Sequence, residues 1–399
     1  MTQFPHILIS GGGIGGLTTA IILAQNGCRV DLFEQAADFT EVGAGLQLSP
    51  NAVHVHAAIG TATAISDAGF TPDFAALRDF KTGEIQLKTP LKTICRPRYG
   101  QPYIHIHRAD LQQILIQAAK DAGVSFHLGT SAQDFHQTES YVTLNTDKGS
   151  FTGDALIGAD GIRSVIREQI NSTAEPRFTG QIAWRGTVPT HSLPAVILPP
   201  AANVWMGPNH HFVAYYLRGG DLINFVAVEE RGQWVEESWS LKGQKSDLRK
   251  AFDGWDPVVT QLINAAPDCY LWGLFDHAPL NHWSQGRVTL LGDAAHPMLP
   301  FMAQGAAMAT EDAWVLSQKL LTNPNVKAAL KAYELARKPR ATKLQALSRA
   351  NAKLFHEESK LGCAVRNLKL AAASKLPALQ HIKLDPVYGI NVVKDFPCP

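Results

Sequence analysis

Three glycines near the start of the chain, Gly11, Gly13 and Gly16, stand between a short apolar run and a segment whose apolar residues recur at helical spacing. In a Gly-x-Gly-x-x-Gly motif at this position, the first glycine permits a tight turn. The second lets the backbone approach a pyrophosphate, and the third allows close packing of helix on strand. The motif therefore predicts a βαβ unit whose helix N-terminus holds the phosphates of a dinucleotide.

An acidic residue strengthens this prediction. Glu34 ends the strand-like run "RVDLFE" that follows the helix, at the position where a carboxylate binds ribose hydroxyls. The alternative is a glycine-rich turn that binds no ligand. A Gly-x-Gly-x-x-Gly motif by itself would not exclude it. Here the strand, the helix and the acid are all in place. NAD and FAD share this solution, so the motif does not choose between them.

The secondary structure that the remaining chain predicts changes three times. A β-rich stretch starts near residue 178, α/β texture returns near residue 288, and an almost wholly helical pattern follows residue 325. We therefore predict an α/β fold: a Rossmann-like nucleotide-binding domain built from separated segments, an inserted β-rich substrate domain and a helical C-terminus. The predicted boundaries are 1–75, 100–175 and 265–345 for the first domain, 76–99 and 176–264 for the second, and 346–399 for the helical segment.

Two aspartates mark further strand-to-helix junctions. Asp160 precedes Gly161 in "LIGADGIRSVIR", and Asp293 follows Gly292 in "LLGDAAHP". Each could simply cap the helix that follows. Arginines at 163 and 167 are more typical of solvated helix charges than of ligands, and we assign them no role.

The three motifs, in this order and at these separations, resemble the single-component (class A) FAD-dependent aromatic hydroxylases of the salicylate hydroxylase type, a family of flavoprotein monooxygenases. The resemblance extends to about residue 343. The motifs that carry it are specific when taken together. It also includes "GAGLQLSPNA" (43–52), "HRADL" (107–111), "WRG" (184–186) and "GDAAHPMLPFMAQGAAMATEDA" (292–313).

The resemblance implies FAD as the bound cofactor, with a role for each matching position. Glu34 would bind the adenosine ribose and Arg108 the pyrophosphate. Asp160 would support FAD and nicotinamide binding, and Asp293 would bind a ribityl hydroxyl. The chain has no second glycine motif and no Cys-x-x-Cys. NADH or NADPH would therefore act as a transient reductant, as the family resemblance implies.

Small residues crowd the segment 297–306, which the resemblance places along the flavin ring. Gly305 and Ala306 would let the backbone approach the ring, and the helix behind them would direct its positive end at the flavin. Pro297 stiffens the loop. Gln304 is either a ring or substrate contact or an ordinary cap contact, and His296 is interpreted as structural.

One strand face suggests the catalytic residues. His211 and Tyr215 alternate onto the same face with Val213, with backbones about 13 Å apart at about 3.3 Å per residue. The alternative is that His211 and Tyr215 are both ordinary core residues. The resemblance implies instead that both line the substrate pocket, where either could accept or orient a phenolic proton.

Other pocket candidates are less specific. Gln47 stands where hydroxynicotinate-type members of the family have histidine, which puts that substrate in doubt. Arg185 could pair with a substrate carboxylate or sit in a structural ion pair. Four aromatic residues could wall the pocket from water or could be plain core: Trp184, Trp205, Phe225 and Trp272.

Bulk composition excludes several function classes. Lysine plus arginine number 36 against 35 acidic residues, so no basic field exists for nucleic acid. The five cysteines have no metal-ligand spacing, and we expect no metal. No apolar stretch reaches the roughly 18 residues that span a bilayer, and the start lacks a signal-peptide pattern. We expect a cytoplasmic protein, with a homodimer left open.

The implied activity is hydroxylation of a small phenolic or hydroxy-heteroaromatic acid, with NAD(P)H and O2 as co-substrates and a flavin hydroperoxide as the oxidant. An FAD-dependent epoxidase or a urate-type oxidase on the same scaffold is the first alternative. An NAD-dependent dehydrogenase is the second, but it leaves the Asp160 and Asp293 motifs unexplained.

Overall fold

The computed structural model describes residues 4–39, 44–171, 176–194, 198–232 and 242–398. Gly43, the first residue of one segment that carries the family resemblance, lies outside the described residues.

The strands found within the described residues are, in chain order, β1 (His6–Ser10), β2 (Arg29–Glu34), β3 (Gly45–Leu48), β4 (Phe74–Asp79), β5 (Ile85–Thr89), β6 (Ile104–His107), β7 (Ser125–Leu128), β8 (Ala132–Gln137), β9 (Val142–Thr146), β10 (Gly149–Gly153), β11 (Ala155–Gly158), β12 (Arg177–Pro189), β13 (Ala201–Gly207), β14 (His210–Leu217), β15 (Leu222–Glu230), β16 (Tyr270–Asp276), β17 (Ser284–Gln285) and β18 (Val288–Leu290).

The α-helices in the same residues are α1 (Ile14–Gln25), α2 (Pro50–Ala58), α3 (Ala62–Ala68), α4 (Leu91–Tyr99), α5 (Arg108–Asp121), α6 (Val165–Ile170), α7 (Lys245–Ala251), α8 (Pro257–Ala265), α9 (Gly305–Thr322), α10 (Val326–Phe355), α11 (Lys360–Lys375), α12 (Pro377–Tyr388) and α13 (Val392–Asp395).

A six-stranded sheet carries the glycine motif. Its strand order is β17-β18-β11-β1-β2-β7. The five strands from β18 to β7 are parallel, and only β17 runs antiparallel to its neighbour. Strands β1, β11 and β18 are almost wholly buried, as parallel strands covered on both faces must be. The order is that of a Rossmann-like sheet, in which ligands bind beyond the carboxyl ends of the strands.

A seven-stranded sheet forms the β-rich part of the molecule, in the order β16-β12-β15-β14-β13-β4-β5. Neighbouring strands in this sheet are antiparallel, except that β13 and β4 are parallel. One face packs with α7 and α8 into a core that contains Trp184, Trp205 and Phe225. The alternate residues of the same strands face the other way, toward the large cavity described below.

The C-terminal helices complete the molecule. The 30-residue helix α10 packs against α9, and the two are joined by buried ion pairs. Arg337 lies 2.7 Å from Glu311 and 2.7 Å from Asp312, and Arg340 also lies 2.7 Å from Glu311. Because buried charges are stable only when paired, this cluster fixes how α10 sits on α9. None of the helices in the described residues combines the length and apolar content needed to cross a bilayer.

Candidate active site

A cavity of about 910 Å³ lies between the carboxyl ends of the Rossmann-like strands and one face of the seven-stranded sheet. It is lined by the segments that follow β1, β11 and β18, by residues of the seven-stranded sheet, by the start of α9 and by the C-terminal helices. The residues predicted from the sequence that line it are Gly13, Gln47, Arg108, Arg185, His211, Tyr215, Asp293, Pro297, Gly305 and Ala306. Gly11, Gly16, Glu34, Asp160 and Gln304 are outside this lining.

The glycine loop shows two different reasons for glycine. Gly11 has a φ of +109°, and a Cβ there would lie 2.3 Å from the Ala159 carbonyl oxygen. A Cβ at Gly16 would lie 2.0 Å from the Gly11 carbonyl oxygen. Both positions therefore require glycine for the fold itself. A Cβ at Gly13, by contrast, would meet nothing within 4 Å and would project from the N-terminus of α1.

Glu34 closes the glycine loop. Its Oε2 accepts a hydrogen bond from the Gly12 amide at 2.8 Å, and its Oε1 accepts one from the Ala36 amide at 2.9 Å. The carboxylate therefore lies at the carboxyl end of β2 beside the loop. Its role toward a ribose stays a prediction.

Asp160 keeps one carboxylate oxygen without a partner. Its Oδ2 accepts a long hydrogen bond of 3.4 Å from the Ile166 amide, whereas its buried Oδ1 has no hydrogen-bond partner among the described residues. Burial raises the pKa of this carboxyl group. Its neighbours Ala159 and Gly161 both line the cavity, whereas Asp160 itself does not.

Arg167, to which we assigned no role from the sequence, is not a solvated helix charge. It is fully buried, and its guanidinium donates to the Ile162 carbonyl oxygen at 2.5 Å. Burial lowers its pKa, while nearby Asp160 opposes that effect. The arginine turns inward because it donates to the carbonyl oxygen of Ile162, in the loop that follows Asp160.

Asp293 and Arg108 both line the cavity and interact electrostatically. Asp293 is exposed to the cavity and follows β18. The protein around the carboxyl group raises its pKa, and Arg108 partly offsets that effect. The N-terminus of α9 lies nearby, where a Cβ on Gly305 would meet nothing within 4 Å. A carboxylate, a guanidinium and an uncovered helix N-terminus thus share one wall.

Gln304 and His296 serve the structure around this wall. Gln304 is 1% exposed, donates to Ser49 Oγ at 2.9 Å and accepts from Asn51 at 3.2 Å, so its side chain binds protein groups rather than facing the cavity. His296 is buried and forms an ion pair with Asp312. The interpretation of His296 as structural agrees with this position.

The seven-stranded sheet provides a flat apolar floor. Register pairs carry one row across five strands, from Arg185 through Val226, Val213 and Val204 to Leu77. Paired residues share a face, and all five line the cavity.

His211 and Tyr215 flank this row on either side of Val213, as the strand alternation predicts. The two side chains therefore face the same cavity across an apolar strip, one toward each end of it.

His211 is buried among aromatic rings. Its ring centroid lies 5.0 Å from that of Phe301 and 5.3 Å from that of Phe355. Its Nδ1 lies 2.6 Å from Nε2 of His356. Burial lowers the pKa of His211 well below its ordinary value, and His356 and His210 add to this. The imidazole is therefore neutral at physiological pH.

Tyr215 lies at the other end of the floor. It packs over Gly45, where a Cβ would lie 2.7 Å from its hydroxyl oxygen, and its ring centroid is 4.6 Å from that of His105. Burial raises its pKa, with Arg185 and a hydrogen bond to Gln47 acting in the opposite direction. The hydroxyl therefore stays protonated and serves as a donor.

Arg185 stacks on Trp272, with its Cζ 3.4 Å from the ring centroid. Trp272 lines the cavity. Trp184, Trp205 and Phe225 instead belong to the core on the opposite face of the sheet. Of the two alternatives left open for these three residues, plain core is therefore the one that holds, because they alternate with cavity-facing residues along their strands.

Three cavity-facing or cavity-supporting residues were not found from the sequence. Tyr103 lines the cavity and donates to Gln47 Oε1 at 2.6 Å. Tyr388, at the end of α12, also lines it, and His356 supports His211. No local pattern marks them. The last two lie in the segment where the family resemblance is loose.

These residues fit a bound FAD on three observations. Gly13 and Gly305 leave space where a side chain would otherwise project. Asp160 holds a buried oxygen, Oδ1, that has no hydrogen-bond partner within the described part of the chain. Two helix N-termini, of α1 and α9, offer free amide groups toward an anionic ligand. Gly13, Arg108 and Asp293 would contact the cofactor's phosphates and ribityl chain.

Sequence comparisons agree with this geometry. The model of the "FAD binding domain" family matches residues 5–348. A 3-hydroxybenzoate 6-hydroxylase of Polaromonas naphthalenivorans (strain CJ2) is 38% identical over 356 residues, which are 88% of each chain. A 6-hydroxynicotinate 3-monooxygenase of Pseudomonas fluorescens is 35% identical over 369 residues, 91% of this chain and 95% of the relative.

Solved structures share the whole architecture and confirm the predicted fold class. A salicylate hydroxylase substrate complex superposes with a TM-score of 0.83 at 26% identity, covering 99% of this chain and 98% of the other. Klebsiella pneumoniae HpxO complexed with FAD and uric acid gives 0.84 at 27% identity, covering 96% and 97%. The chain therefore belongs to the FAD-dependent aromatic hydroxylases and is a flavoprotein monooxygenase that uses NAD(P)H as reductant.

Proposed function

We propose that the protein hydroxylates a small phenolic or hydroxy-heteroaromatic acid, with FAD as cofactor and NAD(P)H and O2 as co-substrates. One observation carries the proposal: His211 and Tyr215 face the cavity from either side of an apolar row, opposite the wall that fits a flavin. A flat ring between two polar groups suits this shape. The relatives named for hydroxybenzoates and hydroxynicotinate support the substrate class.

We assign the cofactor to the Rossmann-like side of the cavity. When bound, FAD would supply the redox chemistry, taking electrons from NAD(P)H and activating O2. The N-terminus of α9 would stabilise negative charge on the ring. Gly11 and Gly16 would shape the glycine loop that binds it, and the residues that we propose to contact it are Gly13, Glu34, Arg108, Asp160, Asp293, Gly305 and Ala306.

We assign His211 as the base and Tyr215 as an orienting donor. A buried, neutral imidazole can accept the proton of a phenol. Loss of that proton makes the aromatic ring of the substrate a better nucleophile. Tyr215 is a poor base because burial raises its pKa, but its hydroxyl can donate to the substrate's oxygen. Arg185, with Trp272 behind it, suits a substrate carboxylate. The valines of the floor keep water from the reacting atoms.

Purified holoenzyme tests the proposal directly. NAD(P)H oxidation is followed with monohydroxybenzoates, hydroxynicotinates and urate, and products are weighed by mass spectrometry. We expect one of the first two classes to stimulate oxidation and to gain one oxygen as a new hydroxyl. Urate as the sole stimulant, or an epoxide product, would favour the alternative activities on this scaffold. Turnover without O2 would favour a dehydrogenase.

We also keep three sequence predictions as proposals. Residues 1–75, 100–175 and 265–345 form the cofactor domain, residues 76–99 and 176–264 the substrate domain, and residues 346–399 the helical segment. The protein is cytoplasmic, and a homodimer is left open as its assembly. Limited proteolysis, cell fractionation and light scattering would measure these three properties.

A further inference from the structure

A chain of three titratable side chains leads from the cavity to the protein surface. His211, on the cavity wall, places Nδ1 2.6 Å from Nε2 of His356. His356, at the end of α10, places Nδ1 2.8 Å from Oε1 of Glu230. The side chain of His356 is 2% exposed, whereas that of Glu230 is 44% exposed. The first group therefore faces the substrate region and the last faces solvent.

The carboxylate at the outer end sets the direction of every hydrogen bond. An ionised Glu230 can only accept, so His356 Nδ1 carries the hydrogen and donates it. In a neutral ring, Nε2 of His356 is then an acceptor, and His211 Nδ1 must donate to it. His211 Nε2 is left without a hydrogen, as a lone pair for the cavity. The chain thus holds His211 in the tautomer that a base needs.

The surroundings keep both rings neutral. Burial lowers the pKa of His356, with Glu230 opposing that effect, and His210 on β14 lowers the pKa of both histidines. Glu229, which precedes Glu230 on β15, forms an ion pair with Arg231 at 2.6 Å. Gln181 Nε2 on β12 lies 3.5 Å from His356 Nδ1, too far to compete with the bond to Glu230.

We propose that Glu230 and His356 form a proton relay that positions His211 and connects it to solvent. The inference rests on the proposed function, since it concerns the fate of the proton that His211 takes. His356 and Glu230 act as positioning residues, because neither lines the cavity.

The transfer balances as follows. The substrate O–H bond breaks and leaves its electron pair on oxygen, and the proton binds His211 Nε2. The hydrogen on His211 Nδ1 moves to His356 Nε2, and the hydrogen on His356 Nδ1 moves to Glu230. Glu230 then releases a proton to water. Both rings end neutral with exchanged tautomers, and a reverse passage of protons restores them.

The test uses oxidised holoenzyme without NAD(P)H, so that no turnover occurs. The probe is 3-hydroxy-4-nitrobenzoate, whose phenolate is coloured, mixed at a pH below the pKa of its phenol. Stopped-flow absorbance follows phenolate formation, and a pH-indicator dye in weak buffer follows proton release. With the wild-type protein, we expect both signals to appear together.

Glu230→Gln replaces the surface carboxylate, which can take up a proton, by an amide, which cannot. His356→Ala removes the middle member of the relay. We expect each to slow both signals by about tenfold or more, as loss of a positioned proton path should, while FAD content is unchanged. Added imidazole should restore part of the rate in His356→Ala. Glu358→Gln is the matched control: Glu358 is exposed and accepts from Asn209, outside the relay, and we expect wild-type rates.

The outcomes separate the relay from the proposed function. If wild type forms phenolate and Glu230→Gln forms it at the same rate with the same proton release, the relay is refuted while the hydroxylase assignment stands. If the wild-type protein forms no phenolate with any probe of this class, the assignment of His211 as the base is refuted. A folding defect in His356→Ala would leave the surface variant Glu230→Gln to decide.

Discussion

At the scale of single residues, His211 is distinguished by being neutral and buried beside the cavity. We predict that His211→Asn slows hydroxylation about 100-fold at neutral pH, the loss typical of a general base, with FAD affinity unchanged. The defect should shrink as pH rises, because the phenol then ionises without help. Product formation measured across pH checks this.

Tyr215→Phe is the comparison variant for that experiment. It keeps the base and loses only the donor, so the rate should fall while the shape of the pH profile stays that of wild type. A pH profile in His211→Asn identical to that of wild type would remove the histidine from the mechanism.

Asp293 gives a second prediction at this scale. Its carboxylate is exposed to the cavity beside Arg108, and a hydrogen bond to a charged group contributes about 1.5 kcal/mol or more. Asp293→Ala should therefore weaken FAD binding about tenfold or more, measured by flavin fluorescence during titration of apoprotein. Asp293→Asn, which keeps a hydrogen-bonding oxygen, should lose less. Equal affinity in all three proteins would contradict the assignment.

At the scale of elements, the N-termini of α1 and α9 each carry a glycine at a position where a side chain would clash with no protein atom. A Cβ at Gly13 or Gly305 meets nothing within 4 Å, whereas a Cβ at Gly16 would lie 2.0 Å from a carbonyl oxygen. We predict that Gly13→Ala and Gly305→Ala leave the thermal stability of apoprotein intact but weaken FAD binding.

Gly16→Ala is the matched contrast and should lower the apoprotein melting temperature, since α1 must move away from the glycine loop. The comparison therefore separates a glycine kept for the ligand from one kept for the fold. Intact FAD affinity in both Gly13→Ala and Gly305→Ala would show that neither helix end contacts the cofactor.

At the scale of the whole molecule, buried neutral histidines make stability depend on pH. His56 and His105 are both fully buried. Burial lowers the pKa of His56 from 6.5 to about 4 and that of His105 from 6.5 to about 3. The unfolded chain binds more protons than the folded one in this range, so stability is retained above pH 6.5 and lost as pH falls toward 4.

Each such histidine contributes a slope of about 1.4 kcal/mol per pH unit within that window. We therefore predict a falling thermal midpoint of the holoenzyme between pH 6.5 and 4, and a shallower fall in His56→Gln. His136→Gln, at an exposed histidine, should leave the dependence as in wild type. A midpoint independent of pH would contradict this account.

Much of the fold and part of the site follow from local patterns. The glycine loop, the strand-to-helix junctions at Asp160 and Asp293, and the shared face of His211 and Tyr215 were predicted from residues a few positions apart. The burial of Arg167, and the choice between cavity wall and core for Trp184, Trp205 and Phe225, could not be decided in the same way. Nothing in one strand says which of its two faces meets a cavity and which meets α7 and α8.

The sequence by itself therefore determined the βαβ start of the chain, the dinucleotide site and the alternation along β14. Backbone sterics and side-chain periodicity act over a few residues and leave a local mark. Only the tertiary structure decided that His211 meets His356, 145 positions away, and that His356 meets Glu230, 126 positions away. Such contacts depend on how α10 docks on the sheet, which the packing of the whole molecule sets.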